Sequence, residues 1–190
     1  DQVADALDSH RLGEVPMGVL VMDLDDFKLV NDTLGHPVGD ELLGRVAERI
    51  RRAAPAGDVV ARLGGDEFAV LVRGDDDQSQ AVANAVLAAF ERPFLVENQD
   101  LLIRPSVGLV VVAGADDAEL TAEDLLKRAD MAMYSAKRSR TGSVHTFNAA
   151  MLSAAVDRSP FGRPVPAAGG VEAIRLLGEL RQALERRELV

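Results

Sequence analysis

The sequence contains no cysteine, and aromatic residues make up only 4% of its 190 residues. Without cysteine there is no disulfide, no thiolate nucleophile and no cysteine-ligated zinc or iron–sulfur centre. Because the chain also lacks a membrane-length apolar run and a signal peptide, we expect a cytoplasmic protein without a membrane span. Lys and Arg number 21 against 31 Asp and Glu, and the resulting net charge of −10 argues against nonspecific nucleic-acid binding.

Hydrophobic residues make up 47% of the chain, enough for a sizeable core. Four apolar residues, Val19 to Met22, predict a buried strand whose end reaches solvent at Asp23 and Asp25. Apolar periodicity, glycines and prolines predict the remaining elements: a helix ending near Gly13, helices over 26–34 and 37–54, a hairpin over 58–72, a helix ending at Pro93, two or more strands around a turn at 98–100, a helix over 122–140 and a strand over 143–147. This order predicts an α/β fold with a mixed central sheet flanked by helices.

The composition changes near Ser159, where residues 159–170 hold three prolines and three glycines. Such a stretch is typical of a linker, and we place the boundaries of the linker at 151–170. Residues 171–190 then have the apolar spacing of an amphipathic helix. The chain is therefore predicted to hold one domain over 1–150, a linker and a terminal helix.

Carboxylates follow the first strand and occupy the tip of the predicted hairpin. If the first strand pairs beside the hairpin, Asp23 and Asp25 converge with Asp66, and such a group needs a cation to neutralise it. Oxygen ligands without His or Cys favour Mg²⁺ or Mn²⁺, with Asp23, Asp66 and the carbonyl of Leu24 as ligands. The alternative is that these acids are ordinary strand-end and turn residues.

Other residues around these acids suit a nucleotide. Gly64 and Gly65 remove side chains from the hairpin tip, so phosphates can approach the backbone, although a tight turn alone also explains them. Asn31 and Asp40 can accept hydrogen bonds from N1–H and N2–H₂ of guanine, which adenine lacks. The alternative for Asp40 is a first-turn acid that stabilises its helix, and for Asn31 a polar loop-edge residue.

Basic residues are the candidate phosphate ligands. Lys28, Lys137, Arg138 and Arg140 can bind phosphate, although cations are also favoured at the solvated end of a helix. His36 follows Gly35 at a corner, where we expect a structural hydrogen bond rather than a catalytic role.

The segment Arg62-Leu63-Gly64-Gly65-Asp66-Glu67-Phe68 resembles the signature of GGDEF-domain diguanylate cyclases. The resemblance extends over about residues 14 to 150 and includes four further motifs: Met22–Lys28, Asn31–Asp40, Ser106-Val107-Gly108 and Ala129–Lys137. It implies a fold like the palm of nucleotide cyclases and polymerases. The implied reaction is 2 GTP → cyclic di-GMP + 2 pyrophosphate, with one GTP on each domain of a homodimer.

The resemblance also implies roles for individual residues. Asp23, Asp66 and the Leu24 carbonyl would bind Mg²⁺ (or Mn²⁺), and Asp66 and Glu67 would be the catalytic residues. The substrate-binding residues would be Phe27, Lys28, Asn31, His36, Asp40, Gly64, Gly65, Lys137 and Arg140. A catalytically silent GTP-binding domain that regulates an attached EAL phosphodiesterase remains the alternative.

The sequence departs from the family pattern at three places. Pro55 replaces the arginine of an Arg-x-x-Asp product-inhibition site that ends here at Asp58, which predicts no strong feedback inhibition. Arg140 precedes by one position the arginine usually found after the helix lysine. The usual N-terminal Asp-x-Leu-Thr-Gly-Leu segment is absent, and residues 171–190 resemble the entry helix of an EAL domain. We therefore expect the chain to be part of a GGDEF–EAL tandem protein.

Overall fold

The computed structural model describes residues 16–112, 120–140 and 142–156. The predicted first helix, the Pro- and Gly-rich stretch over 159–170 and the terminal helix over 171–190 lie outside the described residues. The strands are β1 (Met17–Leu24), β2 (Val59–Gly64), β3 (Glu67–Arg73), β4 (Phe94–Val96), β5 (Gln99–Leu101), β6 (Pro105–Val112) and β7 (Val144–Thr146). The helices are α1 (Phe27–Leu34), α2 (His36–Ala53), α3 (Asp76–Ala89), α4 (Ala122–Ser139) and α5 (Ala149–Val156).

Five strands form a mixed sheet in the order β2-β3-β1-β6-β7, which confirms the predicted α/β architecture. The central strand β1 is antiparallel to both of its neighbours, and only β6 and β7 are parallel. In this register Asp23 lies opposite Glu67 of β3 and Ser106 of β6. The end of β1 therefore lies beside the hairpin tip, which meets the condition on which the predicted convergence of the carboxylates depended.

Apolar residues of β1 alternate between two faces of the sheet, as the period of a strand requires. Leu20, Met22 and Leu24 belong to the cluster that also contains the buried residues of α2 and α3. Met17, Val19 and Val21 pack instead with Leu125, Leu126, Ala129 and Met133 of α4. The sheet is thus covered on both faces, which explains why β1 is apolar along nearly its whole length.

A glycine lets α4 approach the sheet closely. A Cβ atom at Gly108 of β6 would collide with the backbone of Ala129 and Met133. Since α4 carries Lys137 in its last turn, this close contact also sets the height of that lysine above the sheet.

Two predictions differ from the structure. The turn predicted over 98–100 lies at Glu97 and Asn98, and Gln99 already pairs with Val96. Both turn residues have positive φ, as a two-residue hairpin loop requires. Of these two residues, Asn98 belonged to the predicted turn. In addition, the helix Ala149–Val156 overlaps the start of the predicted linker. None of the helices in the described ranges combines the length and the apolar character that a bilayer span requires.

Candidate active site

The end of β1 carries a carboxylate in contact with a lysine from a distant part of the chain. Asp23 follows six buried residues of β1, and its side chain is only 14% exposed. Lys137 extends from the last turn of α4 and places Nζ 2.6 Å from Oδ1 of Asp23. The close packing of α4 on the sheet therefore brings a cation to the strand end.

Charge and burial oppose one another at this pair. Burial raises the pKa of Asp23, the Lys137 ammonium lowers it, and the Asp66 carboxylate raises it further, with a net increase. For Lys137 burial lowers the pKa, but the hydrogen bond and charge of Asp23, with Asp25 and Asp66, give a net increase. The three carboxylates thus lie close enough to act on one ammonium group, and the predicted convergence of Asp23 and Asp66 is present.

The hairpin tip is tied to the end of β1 by backbone hydrogen bonds. The N–H of Leu24 donates to the carbonyl of Asp66 at 3.3 Å. Within the tip, Nε of Arg62 donates to the carbonyl of Gly65 at 2.9 Å. Gly65 has φ of 53°, so the turn itself needs a residue that tolerates the left-handed region. Turn geometry therefore accounts for Gly65, while Asp66 faces the strand end.

These groups suit a magnesium ion that arrives with phosphates. Among the described residues, no three His, Cys, Asp or Glu side chains are grouped so that they could hold a metal. Mg²⁺, however, commonly takes one or two carboxylates and completes its shell with water and substrate phosphates. Asp23, Asp66 and the backbone of Leu24 fit this open kind of site.

Asp25 lies on the other side of the strand end from the hairpin. Its Oδ1 accepts a hydrogen bond from Oγ of the buried Ser106 at 2.8 Å. Its carboxylate is therefore bonded to β6, while its charge also acts on Lys137. Asp25 was not among the predicted metal ligands, which are Asp23, Asp66 and the Leu24 carbonyl. Ser106 belongs to the motif Ser106-Val107-Gly108, but the sequence predicted no role for its hydroxyl.

The predicted guanine ligands lie at the contact of α1 and α2. A Cβ atom at Gly39 would collide with Oδ1 of Asn31, so the Asn31 amide lies against the residue preceding Asp40. Phe27 is buried beside them, with Cζ 3.3 Å from that Cβ position. The structure therefore brings Asn31 and Phe27 together against Gly39, and Asp40 is the next residue of α2.

Three further predicted residues occupy the rim. Lys28 lies in the first turn of α1 and is exposed, and Glu67 is half-buried opposite Asp23. His36 begins α2 and is exposed. Its side chain has no hydrogen bond to any of the described residues, so the expected structural bond is not present.

The last predicted residue, Arg140, ends α4 with φ of 51°, and its N–H donates to the Ala136 carbonyl at 3.1 Å. Lys137 and Arg140 both line a cleft of about 540 Å³ that also borders Asp25, Asp26 and Arg104. Arg104 had no role in the sequence analysis, because no motif contains it.

At the product-inhibition position, Asp58 is half-buried and turned inward. Its Oδ1 accepts from the N–H of Arg73 at 3.2 Å, and its Oδ2 is buried without a partner among the described residues. The absence of strong feedback inhibition stays a prediction.

Comparison with known proteins identifies the family. The profile of the family "Diguanylate cyclase, GGDEF domain" matches residues 1–143. The chain is 36% identical over 191 residues to the bifunctional diguanylate cyclase/cyclic di-GMP phosphodiesterase MucR of Pseudomonas aeruginosa. This match covers 100% of this chain and 25% of MucR. The chain is 40% identical over 130 residues to the diguanylate cyclase TpbB of the same species, which covers 67% of this chain and 29% of TpbB. The chain thus spans about a quarter of the length of these relatives.

Solved structures agree with this match. The GGDEF domain of TpbB has a TM-score of 0.75 at 32% identity, covering 83% of this chain and 91% of that one. The GGDEF domain of DgcB from Caulobacter crescentus, solved with c-di-GMP, has a TM-score of 0.67 at 29% identity, covering 77% and 86%. From the matched residues, the mixed sheet and the strand-end carboxylates together, we conclude that the chain belongs to the GGDEF family of diguanylate cyclases.

Proposed function

We propose that this domain condenses two GTP molecules into cyclic di-GMP and two pyrophosphates. The observation that carries the proposal is the meeting of Asp23, from β1, and Asp66, from the hairpin tip, beside the ammonium of Lys137. In each half-reaction the 3′-oxygen of one GTP forms a bond to the α-phosphorus of the other. The bond between that phosphorus and the bridging oxygen breaks, and pyrophosphate leaves with the electron pair.

The metal and the residues divide this chemistry between them. Mg²⁺ (or Mn²⁺) bound by Asp23, Asp66 and the Leu24 carbonyl would offset phosphate charge and make the attacking oxygen more acidic. We assign acceptance of the hydroxyl proton to Glu67, which is half-buried opposite Asp23. Lys137 neutralises Asp23 before substrate binds and can then contact the phosphates, where an ammonium acts as a point charge.

Recognition of guanine is assigned to the contact of α1 and α2. The Asn31 amide and the Asp40 carboxylate can accept from N1–H and N2–H₂, and these donors are missing from adenine. The buried ring of Phe27 supports this end of the pocket, with Gly64, Gly65, Lys28, His36 and Arg140 around the rest of the nucleotide. One domain holds one GTP, so a second copy of the domain must supply the other half-site.

A catalytically silent GTP-binding domain that regulates an attached phosphodiesterase is the second candidate. The full length of this chain matches a quarter of MucR, whose name gives both a diguanylate cyclase and a cyclic di-GMP phosphodiesterase activity. In that case GTP would bind between α1 and α2 without turnover, and the downstream EAL domain would be the responding partner.

The two candidates differ in a direct assay. We expect the 190-residue chain, with GTP and Mg²⁺, to form cyclic di-GMP, and Asp66→Asn to reduce its rate by at least about 100-fold while GTP remains bound. Asp100→Asn, an exposed carboxylate on β5, is the matched control and should change nothing. GTP binding without product at high protein concentration would support the regulatory candidate, and turnover by Asp66→Asn at the wild-type rate would overturn the assigned metal site.

A further inference from the structure

A cationic cleft lies beside the proposed metal site, on the side of β1 that faces β6. It has a volume of about 540 Å³ and lies between α1, the residues just before β6 and the end of α4. Arg104, Lys137 and Arg140 line it. The cleft thus holds three cations beside two acids, Asp25 and Asp26, in a chain whose net charge is −10.

Arg104 is fixed in place by the strand end itself. Its carbonyl accepts a hydrogen bond from the N–H of Asp25 at 2.8 Å, so its backbone is tied to the carboxylate end of β1. Its side chain is exposed and has no hydrogen bond or ion pair with any of the described residues. The backbone of Arg104 is therefore held at the site, while its guanidinium makes no structural contact.

Arg140 lies on the opposite wall of the cleft. It ends α4 with φ of 51° and ψ of 27°, a left-handed conformation that non-glycine residues adopt at an energetic cost. Within the described ranges, its side chain too is exposed and unpaired. Arg140 thus adds a second unpaired arginine to the lining of the cleft.

Asp25 and Asp26 are the acids that line the cleft, and among the described residues neither forms an ion pair with Arg104 or Arg140. Asp25 accepts from Ser106 and lies near the ammonium of Lys137, which itself pairs with Asp23. The two guanidinium groups are thus left for an external anion. Guanidinium groups bind phosphate oxygens through paired hydrogen bonds, and two of them suit a ligand with two adjacent phosphates.

We propose that Arg104 is a further substrate-binding residue, which together with Arg140 holds the terminal phosphates of the nucleotide in this cleft. The inference rests on the proposed function, since it places the β- and γ-phosphates beside an α-phosphate held at Asp23 and Asp66. The same chemistry would hold free pyrophosphate after the reaction. Leu29 and Leu102, exposed at 63% and 61%, also line the cleft.

Titration calorimetry of the 190-residue chain in the presence of Mg²⁺, with GTP, pyrophosphate and GMP as ligands, tests the role of Arg104. We expect Arg104→Gln to raise the Kd of GTP and of pyrophosphate about tenfold or more, and to leave the Kd of GMP unchanged. Arg51→Gln, an exposed arginine in the last turn of α2, is the matched control and should alter none of the three. Arg104→Lys keeps the positive charge but loses the paired N–H donors of the guanidinium, so it should recover part of the affinity for GTP and pyrophosphate.

The outcomes separate this inference from the function on which it rests. An unchanged GTP affinity in Arg104→Gln, or an equal loss for GTP and GMP, would overturn the role of Arg104 and leave guanine recognition standing. Equal binding of GTP and GMP by the unmodified chain would overturn the cleft as a phosphate site. Absence of any GTP binding would overturn the proposed function and this inference with it.

Discussion

Two buried serines, near opposite ends of β1, have opposite surroundings. Ser106 lies opposite Asp23 in the register of the sheet and donates to the Asp25 carboxylate. Ser79 lies on α3 against Gly18, near the start of β1, and its Oγ has no hydrogen-bond partner among the described residues. The two side chains are 5% and 0% exposed, so burial alone does not distinguish them.

The difference shows where this domain uses its polar groups. At the end of β1 the buried hydroxyl of Ser106 orients the Asp25 carboxylate, and the partly buried carboxylate of Asp23 contacts the Lys137 ammonium. At the start of β1 a hydroxyl is buried for its small size, because Gly18 leaves room for little more than a serine. A buried polar group without a partner lowers stability, whereas one bonded to a charge contributes to it.

The largest effect that this comparison predicts is that of Ser106→Ala. Because the lost hydrogen bond reaches a charged acceptor, we expect the free energy of unfolding to fall by about 1.5 kcal/mol or more. Urea unfolding measures this, and Asp25 should then be less well oriented in the cleft. A loss no larger than that of Ser79→Ala would contradict the assigned difference between the two ends of β1.

The end of β1 was largely predictable from the sequence. A run of apolar residues followed by Asp23 indicates a strand end, and Gly64-Gly65 indicates the turn that presents Asp66. The strand end and the turn depend on local spacing, which a sequence shows directly. The pairing of β1 with β3, which brings the two acids together, was only a condition of the prediction, and the structure meets it.

Contacts between distant residues were not predictable in the same way. The pairing of Lys137 with Asp23 depends on how closely α4 packs on Gly108, and the Ser106–Asp25 bond joins residues 81 positions apart. The sequence therefore did not predict the hydrogen bond that Asp25 accepts from β6. Arg104 was missed because its relation to the cleft depends on the β1–β6 register, to which no motif refers.

A smaller effect, with the opposite sign, is expected at the start of β1. Ser79→Ala removes a buried hydroxyl without a partner and keeps the Cβ atom that packs near Gly18. We expect the free energy of unfolding to rise by about 1 kcal/mol, measured by urea unfolding beside Ser106→Ala. If Ser79→Ala destabilises the domain instead, its hydroxyl has a hydrogen-bond partner in solution, and the contrast with Ser106 disappears.

The smallest effect concerns Asp58, which is next to the edge of the sheet and also has an unpartnered oxygen. Burial raises the pKa of Asp58 above its usual 3.8, although the N–H and the charge of Arg73 act against this. The folded state therefore binds the proton more tightly than the unfolded state, and stability present below pH 3.8 is lost as the pH rises through the folded-state value. Asp58→Asn keeps an acceptor for Arg73 but cannot ionise, so its stability relative to the unmodified chain should increase between about pH 3.5 and pH 7. Urea unfolding at several pH values measures this difference, with Asp100→Asn as the exposed control. A difference that stays constant with pH would mean that the Asp58 carboxylate is solvated, and among the described residues Ser79 would then be the one buried side chain without a hydrogen-bond partner.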